Sequence, residues 1–377
     1  MIGQPERILV VLPNWVGDVV LATPALRAIR RGFARSRITF LARQYVADLI
    51  AGADWMDEVT FWPAGKSRTQ RRQGFLWLAS RLRQQRFELA VLLANSFRSA
   101  LLALLAGAVR RVGYDRDGRG LLLTDRLIAH RLNGRFIPVS MMRYYNGLAD
   151  YLGCRDLPAK PELPVRQEDV QATDELCRAH GITPERPLVL INPGAAFGSA
   201  KCWLPERFAD LADRLTETTG ARVLVVCGPR EQATGQSIRA MLRHDATVLA
   251  DPPLSLRELM GLVQRCDLLV TNDTGPRHLA IAYDVPVVTI FGPTDPRWTE
   301  TNYMWERKVI APVDCGPCMK RLCPLDHRCM SRIDVEMVLE PAIELLRARR
   351  CVWARNEQSA DEQASGQPWQ GPAERAG

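Results

Sequence analysis

The chain opens with Arg7 to Leu12 (RILVVL), a nearly unbroken apolar run followed by a short turn, Pro13 to Gly17, and a stretch of helical period, Asp18 to Arg31. Ile38 to Leu41 and Glu88 to Leu93 are further apolar runs of strand length. Strands without polar alternation are covered on both faces, so this pattern predicts a parallel sheet flanked by helices, an α/β class. A second series follows at Leu188 to Asn192, Val223 to Cys227, Thr247 to Ala250, Leu268 to Thr271 and Val287 to Phe291, with helical stretches between. Between the two series, Leu157 to Arg166 (LPAKPELPVR) has three prolines and no period, which suits a linker. The expected organisation is an N-terminal half at 1–160, a C-terminal half at 161–353, and a polar, Gly/Pro/Ser-rich tail at 354–377 that is predicted to be disordered. Ligands of such sheets sit at the carboxyl ends of the strands, so the cleft between the halves is the expected site.

Composition narrows this picture without choosing a function. The 377 residues are 47% apolar, enough to fill cores in two domains. The longest clean apolar run, Ala100 to Val109, is ten residues long, about half of the ~20 needed to cross a bilayer. No secretory signal is visible at the N-terminus, so a cytoplasmic location is expected, where ten cysteines favour free thiols or a metal site over disulfides. A net charge of +8 favours polyanionic partners: nucleic acid, anionic membrane, or a phosphorylated or carboxylated substrate.

Common nucleotide signatures fail. No G-x-G-x-x-G follows the first strand, and Gly65-Lys66-Ser67 lacks the earlier glycine of a P-loop. Strand, short loop and helix start recur instead. Gly194 to Lys201 (GAAFGSAK) combines small residues with a lysine able to reach an anion. Asp273, Thr274 and Gly275 precede Pro276 and His278, with Thr274 placed as an N-cap, so that backbone N–H groups meet an anion with partial positive charge. Phe291 to Pro296 is another tight loop, and Glu231, after Cys227-Gly228-Pro229-Arg230, places a carboxylate where a ribose diol can be held. Together these loops describe a nucleotide-diphosphate pocket. In the first half, Asn14-Trp15-Val16-Gly17-Asp18 puts one carboxylate at a helix start, either as a dipole partner or as a general base.

Four segments, ILVVLPNWVGDVVLATPALRAIR, LLANSFRSALLALLAGAVRRVGY, INPGAAFGSAKCWL and TNDTGPRHLAIAYDVPVVTIFGPTDP, resemble the bacterial ADP-heptose:lipopolysaccharide heptosyltransferases, glycosyltransferase family 9, most closely the heptosyltransferase II branch. The resemblance runs from about residue 7 to about residue 350. It implies a GT-B fold of two Rossmann-like domains facing a central cleft, an acceptor half followed by a donor half. It implies inverting transfer of L-glycero-D-manno-heptose from ADP-heptose to the first heptose of Kdo2-lipid A at the cytoplasmic face of the inner membrane. Asp18 matches the catalytic aspartate; Gly194, Lys201, Glu231, Asp273, Thr274, Gly275 and His278 fall at donor-binding positions; Asn14 and Arg98 are the acceptor candidates. No cofactor or metal is expected, because a lysine and helix starts can hold the leaving diphosphate.

Other features stay open at this level. The basic run Lys66 to Arg72 is either a mobile loop meeting acceptor carboxylates or membrane phosphates, or a solvated helix face. Asp115-Arg116-Asp117 reads as a surface turn, and His130, His180 and His244 as surface or capping residues. Cys315, Cys318, Cys323 and Cys329, with His327, have one spacing that suits zinc, but packed free thiols are the stronger expectation. Rival functions are heptosyltransferase I or III, another GT-B enzyme with a different nucleotide sugar, and a nucleotide- or nucleic-acid-binding scaffold. Against nucleic acid, aromatics are only 7% and do not interleave with a basic stripe.

Overall fold

The computed structural model describes residues 4–65, 67–244 and 246–349. Its first half runs β1 (Arg7–Val11), α1 (Val16–Gly32), β2 (Arg37–Ala42), β3 (Glu58–Phe61), α2 (Arg68–Arg83), β4 (Leu89–Leu92), α3 (Phe97–Leu105), β5 (Arg110–Tyr114), β6 (Asp125–Leu127), a small hairpin of β7 (Arg131–Leu132) and β8 (Arg135–Phe136), and α4 (Met141–Tyr151). The second runs α5 (Gln167–Ala179), β9 (Leu188–Asn192), α6 (Pro205–Thr219), β10 (Arg222–Val226), α7 (Gln232–Met241), β11 (Thr247–Leu249), α8 (Leu256–Arg265), β12 (Leu268–Asn272), α9 (Gly275–Ala282), β13 (Val287–Phe291), β14 (Glu306–Ile310) and α10 (Arg328–Ser331), then a helix over residues 336–349.

Each half is built on a six-stranded, all-parallel sheet, in the order β3-β2-β1-β4-β5-β6 and β11-β10-β9-β12-β13-β14. The two orders are the same, and each reverses direction beside its first strand, between β1 and β4 and between β9 and β12. At such a switch point the loops at the strand ends splay apart and open a crevice. The central strands are buried along their whole length, as their unbroken apolar runs require.

α1 lies between the two halves. It carries Pro24 in its interior, which removes the N–H that would bond the Val20 carbonyl; Thr23 Oγ1 donates to that carbonyl instead, at 2.8 Å. α1 packs on α4 of its own half and on α9 of the other. One apolar cluster therefore runs continuously from Ile8, Leu21 and Tyr145 through to Leu190, Leu262 and Ile281. The proline segment expected to link the halves is held down: the Glu162 N–H donates to Thr23 Oγ1 at 3.0 Å, and its carboxylate pairs with Arg27 at 2.6 Å.

Of the two readings left open for the basic run, the solvated helix face is the one observed: from Arg68 it forms the start of α2, where Ser67 and Gln70 make a reciprocal capping box. Lys66, and the tail from 354 onward, lie outside the described residues.

Candidate active site

Loops from both switch points meet where the N-termini of α1 and α9 abut. Gly17 and Gly275 permit that approach. A Cβ on Gly17 would lie 2.6 Å from Cδ2 of His278, and one on Gly275 would lie 3.1 Å from Cγ1 of Val16. Two helix starts with unpaired amide N–H groups thus face the same space, a concentration of positive potential. Thr274 occupies the N-cap position of α9, as expected, but its side chain makes no capping hydrogen bond. The amides at this helix start are left for another acceptor.

Asp18 stands in the first turn of α1, partly buried. Burial raises its pKa to about 6, and Lys201 of the other half opposes that rise. A carboxylate poised near neutrality can both take and release a proton at working pH. Tyr145, fully buried, lies close enough to feel the same charge.

In the second half, Lys201 Nζ donates to the Asp273 carboxylate at 2.7 Å and to the Asp273 carbonyl at 2.8 Å. Asp273 also accepts from Thr294 Oγ1 at 2.7 Å and Arg277 Nη1 at 3.2 Å. Burial disfavours the Asp273 anion, but Lys201 and Arg277 outweigh it and hold its pKa at about 2. Its carboxylate is thereby committed to aiming Lys201. Arg277 is itself completely buried, forked onto Glu306 at 2.6 and 3.1 Å and bonded to Thr299 Oγ1 at 2.6 Å. This ion network was invisible to sequence reasoning: Glu306 lies 29 residues from Arg277 and on an edge strand that no strong apolar pattern announced.

Glu231 accepts from the Gly228 N–H at 2.8 Å, and its carboxylate lies directly over Gly194, where an added Cβ would fall 1.7 Å from Oε1. Burial raises its pKa. Gly194 is thus the residue that lets the β9 loop and the β10 loop touch. His278 is buried, its pKa is lowered to about 3 by burial and by Arg277, and its Nδ1 has no protein partner. It is a neutral imidazole wedged between the two helix starts.

Asn14 and Arg98 belong to a separate group on the first half. Asn14 Oδ1 accepts from Arg43 Nε at 3.2 Å, and its carbonyl accepts from the Tyr45 hydroxyl. Arg98 sits over the rings of Trp62 and Phe75 at 5.4 and 5.1 Å, and Arg43 over Trp62 at 5.3 Å. Burial, then the charges of Arg43 and Arg71, lower the Arg98 pKa. Clustered guanidiniums without a carboxylate among them suit an anionic group on the ligand. Behind them, the buried Arg119 bonds Asn95 Oδ1 at 2.9 Å and the Ala94 carbonyl, fixing the loop that presents Arg98. Arg43, Tyr45 and Arg119 escaped the sequence reading because nothing local marks them.

The cysteine segment packs behind the Lys201 loop. The Ala200 N–H donates to the Arg321 carbonyl at 3.1 Å, His327 Nε2 bonds the Ala200 carbonyl at 2.9 Å, and Gly198 lies against Arg321. Cys315, Cys318, Cys323 and Cys329 line a small cavity there as free thiols. Among the described residues no three His, Cys, Asp or Glu side chains are placed to hold a metal ion, Asp115 and Asp117 included. His130 is exposed, His180 ends α5, and His244 pairs with Glu217.

Two Rossmann-like sheets with their switch points facing one cleft make up the GT-B architecture. Over residues 75–328 the chain matches glycosyltransferase family 9 (heptosyltransferase), and it belongs to that family. It is 30% identical over 303 residues to lipopolysaccharide heptosyltransferase 2 of Salmonella typhimurium, covering 78% of this chain and 84% of that protein. Against lipopolysaccharide heptosyltransferase 1 of Pseudomonas aeruginosa it is 24% identical over 325 residues, covering 84% and 87%. The structure of ADP-heptose lipopolysaccharide heptosyltransferase II from Escherichia coli superposes with a TM-score of 0.75 at 27% identity, covering 91% of this chain and 99% of that one. The chain is an enzyme, a glycosyltransferase with the fold that its sequence motifs imply.

Proposed function

We propose that this enzyme transfers L-glycero-D-manno-heptose from ADP-heptose to the heptose already carried by Kdo2-lipid A, in lipopolysaccharide core assembly, with inversion at the anomeric carbon. The observation that carries the mechanism is the carboxylate of Asp18 at the meeting of two helix starts, its pKa raised to about 6 by burial, a rise opposed by the charge of Lys201 from the other half. An Asp18 oxygen takes the proton of the acceptor hydroxyl as that oxygen bonds to the anomeric carbon. The bond from that carbon to the diphosphate breaks in the same displacement, and ADP departs. The Lys201 ammonium and the Gly275 and Arg277 amides at the start of α9 hold the negative charge that develops on the diphosphate. Glu231 holds the ribose, and His278, being neutral, offers its free Nδ1 to the donor without adding charge.

The acceptor half, 1–160, uses Asn14 and Arg98, with Arg43 beside them, against the carboxylates of the Kdo sugars. The donor half, 161–353, supplies the rest. Greater identity to the heptosyltransferase 2 of Salmonella typhimurium than to the heptosyltransferase 1 of Pseudomonas aeruginosa supports the acceptor assignment. Because that acceptor is embedded in lipid, the enzyme works at the cytoplasmic face of the inner membrane; among the described residues no helix is long and apolar enough to cross it. The test is ADP release with ADP-heptose and two lipids, one bearing a single heptose on Kdo and one bearing Kdo alone. Turnover on the first only is expected, and turnover on the second only reassigns the enzyme to heptosyltransferase I chemistry.

A further inference from the structure

α2 and α3 pack against each other over one face of the first sheet, and the turn at Gly120–Leu122 packs against α3. Their inner sides are spent on the core: Leu78, Ala79, Leu82, Leu102 and Ala103 are buried there with Leu92. Large apolar side chains nevertheless remain on the outside of the same layer. Trp77 is 56% exposed, Leu76 51%, Leu104 39% and Leu121 90%. Folding gains nothing from these side chains in water, and apolar groups clustered on one face mark an interaction surface.

The charge on this layer is of one sign. α2 (RTQRRQGFLWLASRLR) holds five arginines and α3 (FRSALLALL) one, and neither helix contains an aspartate or glutamate. Among the described residues none of the six forms an ion pair, whereas several arginines of the second half do, Arg214, Arg257 and Arg277 among them. Arg81 lies over the Trp77 ring at 5.5 Å, so cation and aromatic are presented together. A basic helix that presents a Trp and Leu pair outward can lie against an anionic bilayer: arginine stems lie along the acyl boundary while their heads reach phosphates. Stacking on single-stranded nucleic acid is the poorer match, since three of the four outward side chains are aliphatic.

We infer that the outer face of α2, together with Leu104 and Leu121, docks this enzyme on an anionic phospholipid surface. The inference rests on the reading of a lipid-borne acceptor and deepens it, because α3 begins at Phe97 and Arg98 and so joins this face directly to the acceptor group. Docking through this layer sets the membrane beside the mouth of the acceptor half, so the sugar of a lipid can enter the cleft while its acyl chains remain in the bilayer.

The experiment is co-sedimentation of the full chain with phosphatidylglycerol vesicles and with phosphatidylcholine vesicles, for the wild type, for Leu76→Ser with Trp77→Ser, and for Arg81→Glu with Arg83→Glu. All four positions are exposed, and thermal melts check that the variants fold. Binding to the anionic vesicles alone is expected, weakened about tenfold by each pair of substitutions. Turnover on a de-acylated, soluble acceptor is expected to be unchanged, which separates loss of docking from failure of the proposed chemistry. Wild-type protein that ignores phosphatidylglycerol, or variants that bind it as well as the wild type, overturn the inference. So does a variant pair that instead breaks a dimer in sedimentation velocity or abolishes binding to a single-stranded RNA while leaving vesicle binding intact.

Discussion

Single residues divide here into those that do chemistry and those that hold them. Asp18 ionises at about 6 in the folded chain against 3.8 when free, so its ionised form is disfavoured by burial. As the proposed base it must be deprotonated, and kcat/KM is therefore expected to rise with pH through about 6 and level off above it; a flat profile between pH 5 and 8 contradicts this. Linkage gives a second expectation. A carboxylate whose folded pKa is raised favours the fold below 3.8 and loses that advantage as pH rises through 6, so ionised Asp18 costs stability on the order of 2–3 kcal/mol at pH 8. Asp18→Asn should melt higher than the wild type at pH 8 and equally at pH 4, a difference read by thermal unfolding. Asp273 has the opposite sign. Its pKa of about 2 stabilises the fold above 3.8, and that contribution is lost as pH falls through 2. Arg277→Met removes the cation forked onto the buried Glu306 and one of the two cations paired with Asp273, at an expected cost of about 3–5 kcal/mol in denaturant unfolding. A loss under 1 kcal/mol would show that the network is replaceable.

Among elements, the two contacts made possible by glycine are the most informative. In Gly194→Ala the new methyl occupies the place of the Glu231 carboxylate, which must swing away. The expected result is a higher donor KM with kcat largely kept, by initial-rate kinetics, and an unchanged KM contradicts the ribose role. Much of this level was legible in sequence. The unbroken apolar runs of β1, β9, β12 and β13 gave strands close to their observed bounds, since a strand buried on both faces has to be apolar throughout. β3, β5, β6 and β14 were missed because edge and near-edge strands such as ERKVI and RRVGY keep charged residues on a half-exposed face. The α2 start stayed open between loop and helix face because its capping box, Ser67 with Gln70, is a weak signal inside an arginine run. The positions of Asp18, Lys201, Glu231 and Asp273, at strand-end loops or helix starts, were legible since each follows a recognisable strand. Arg43, Arg119, Arg277 and Glu306 were not, because their roles arise only from contacts between distant segments.

For the whole molecule, the apolar cluster that runs through α1 and α9 joins the halves at the bottom of the cleft and leaves their loops to meet above it. That arrangement puts the proposed base on one half and the groups proposed to hold the leaving diphosphate on the other, so the proposed chemistry requires both halves at once. The most direct measurement is single-turnover ADP release from ADP-heptose on the mono-heptosyl Kdo2-lipid A acceptor, comparing the wild type with Asp18→Asn, alongside ADP affinity by calorimetry. The expected result is a rate lower by about 10²–10⁴ in the variant with ADP affinity kept within a factor of about two. An Asp18→Asn enzyme that turns over within about tenfold of the wild type would show that the acceptor proton goes elsewhere.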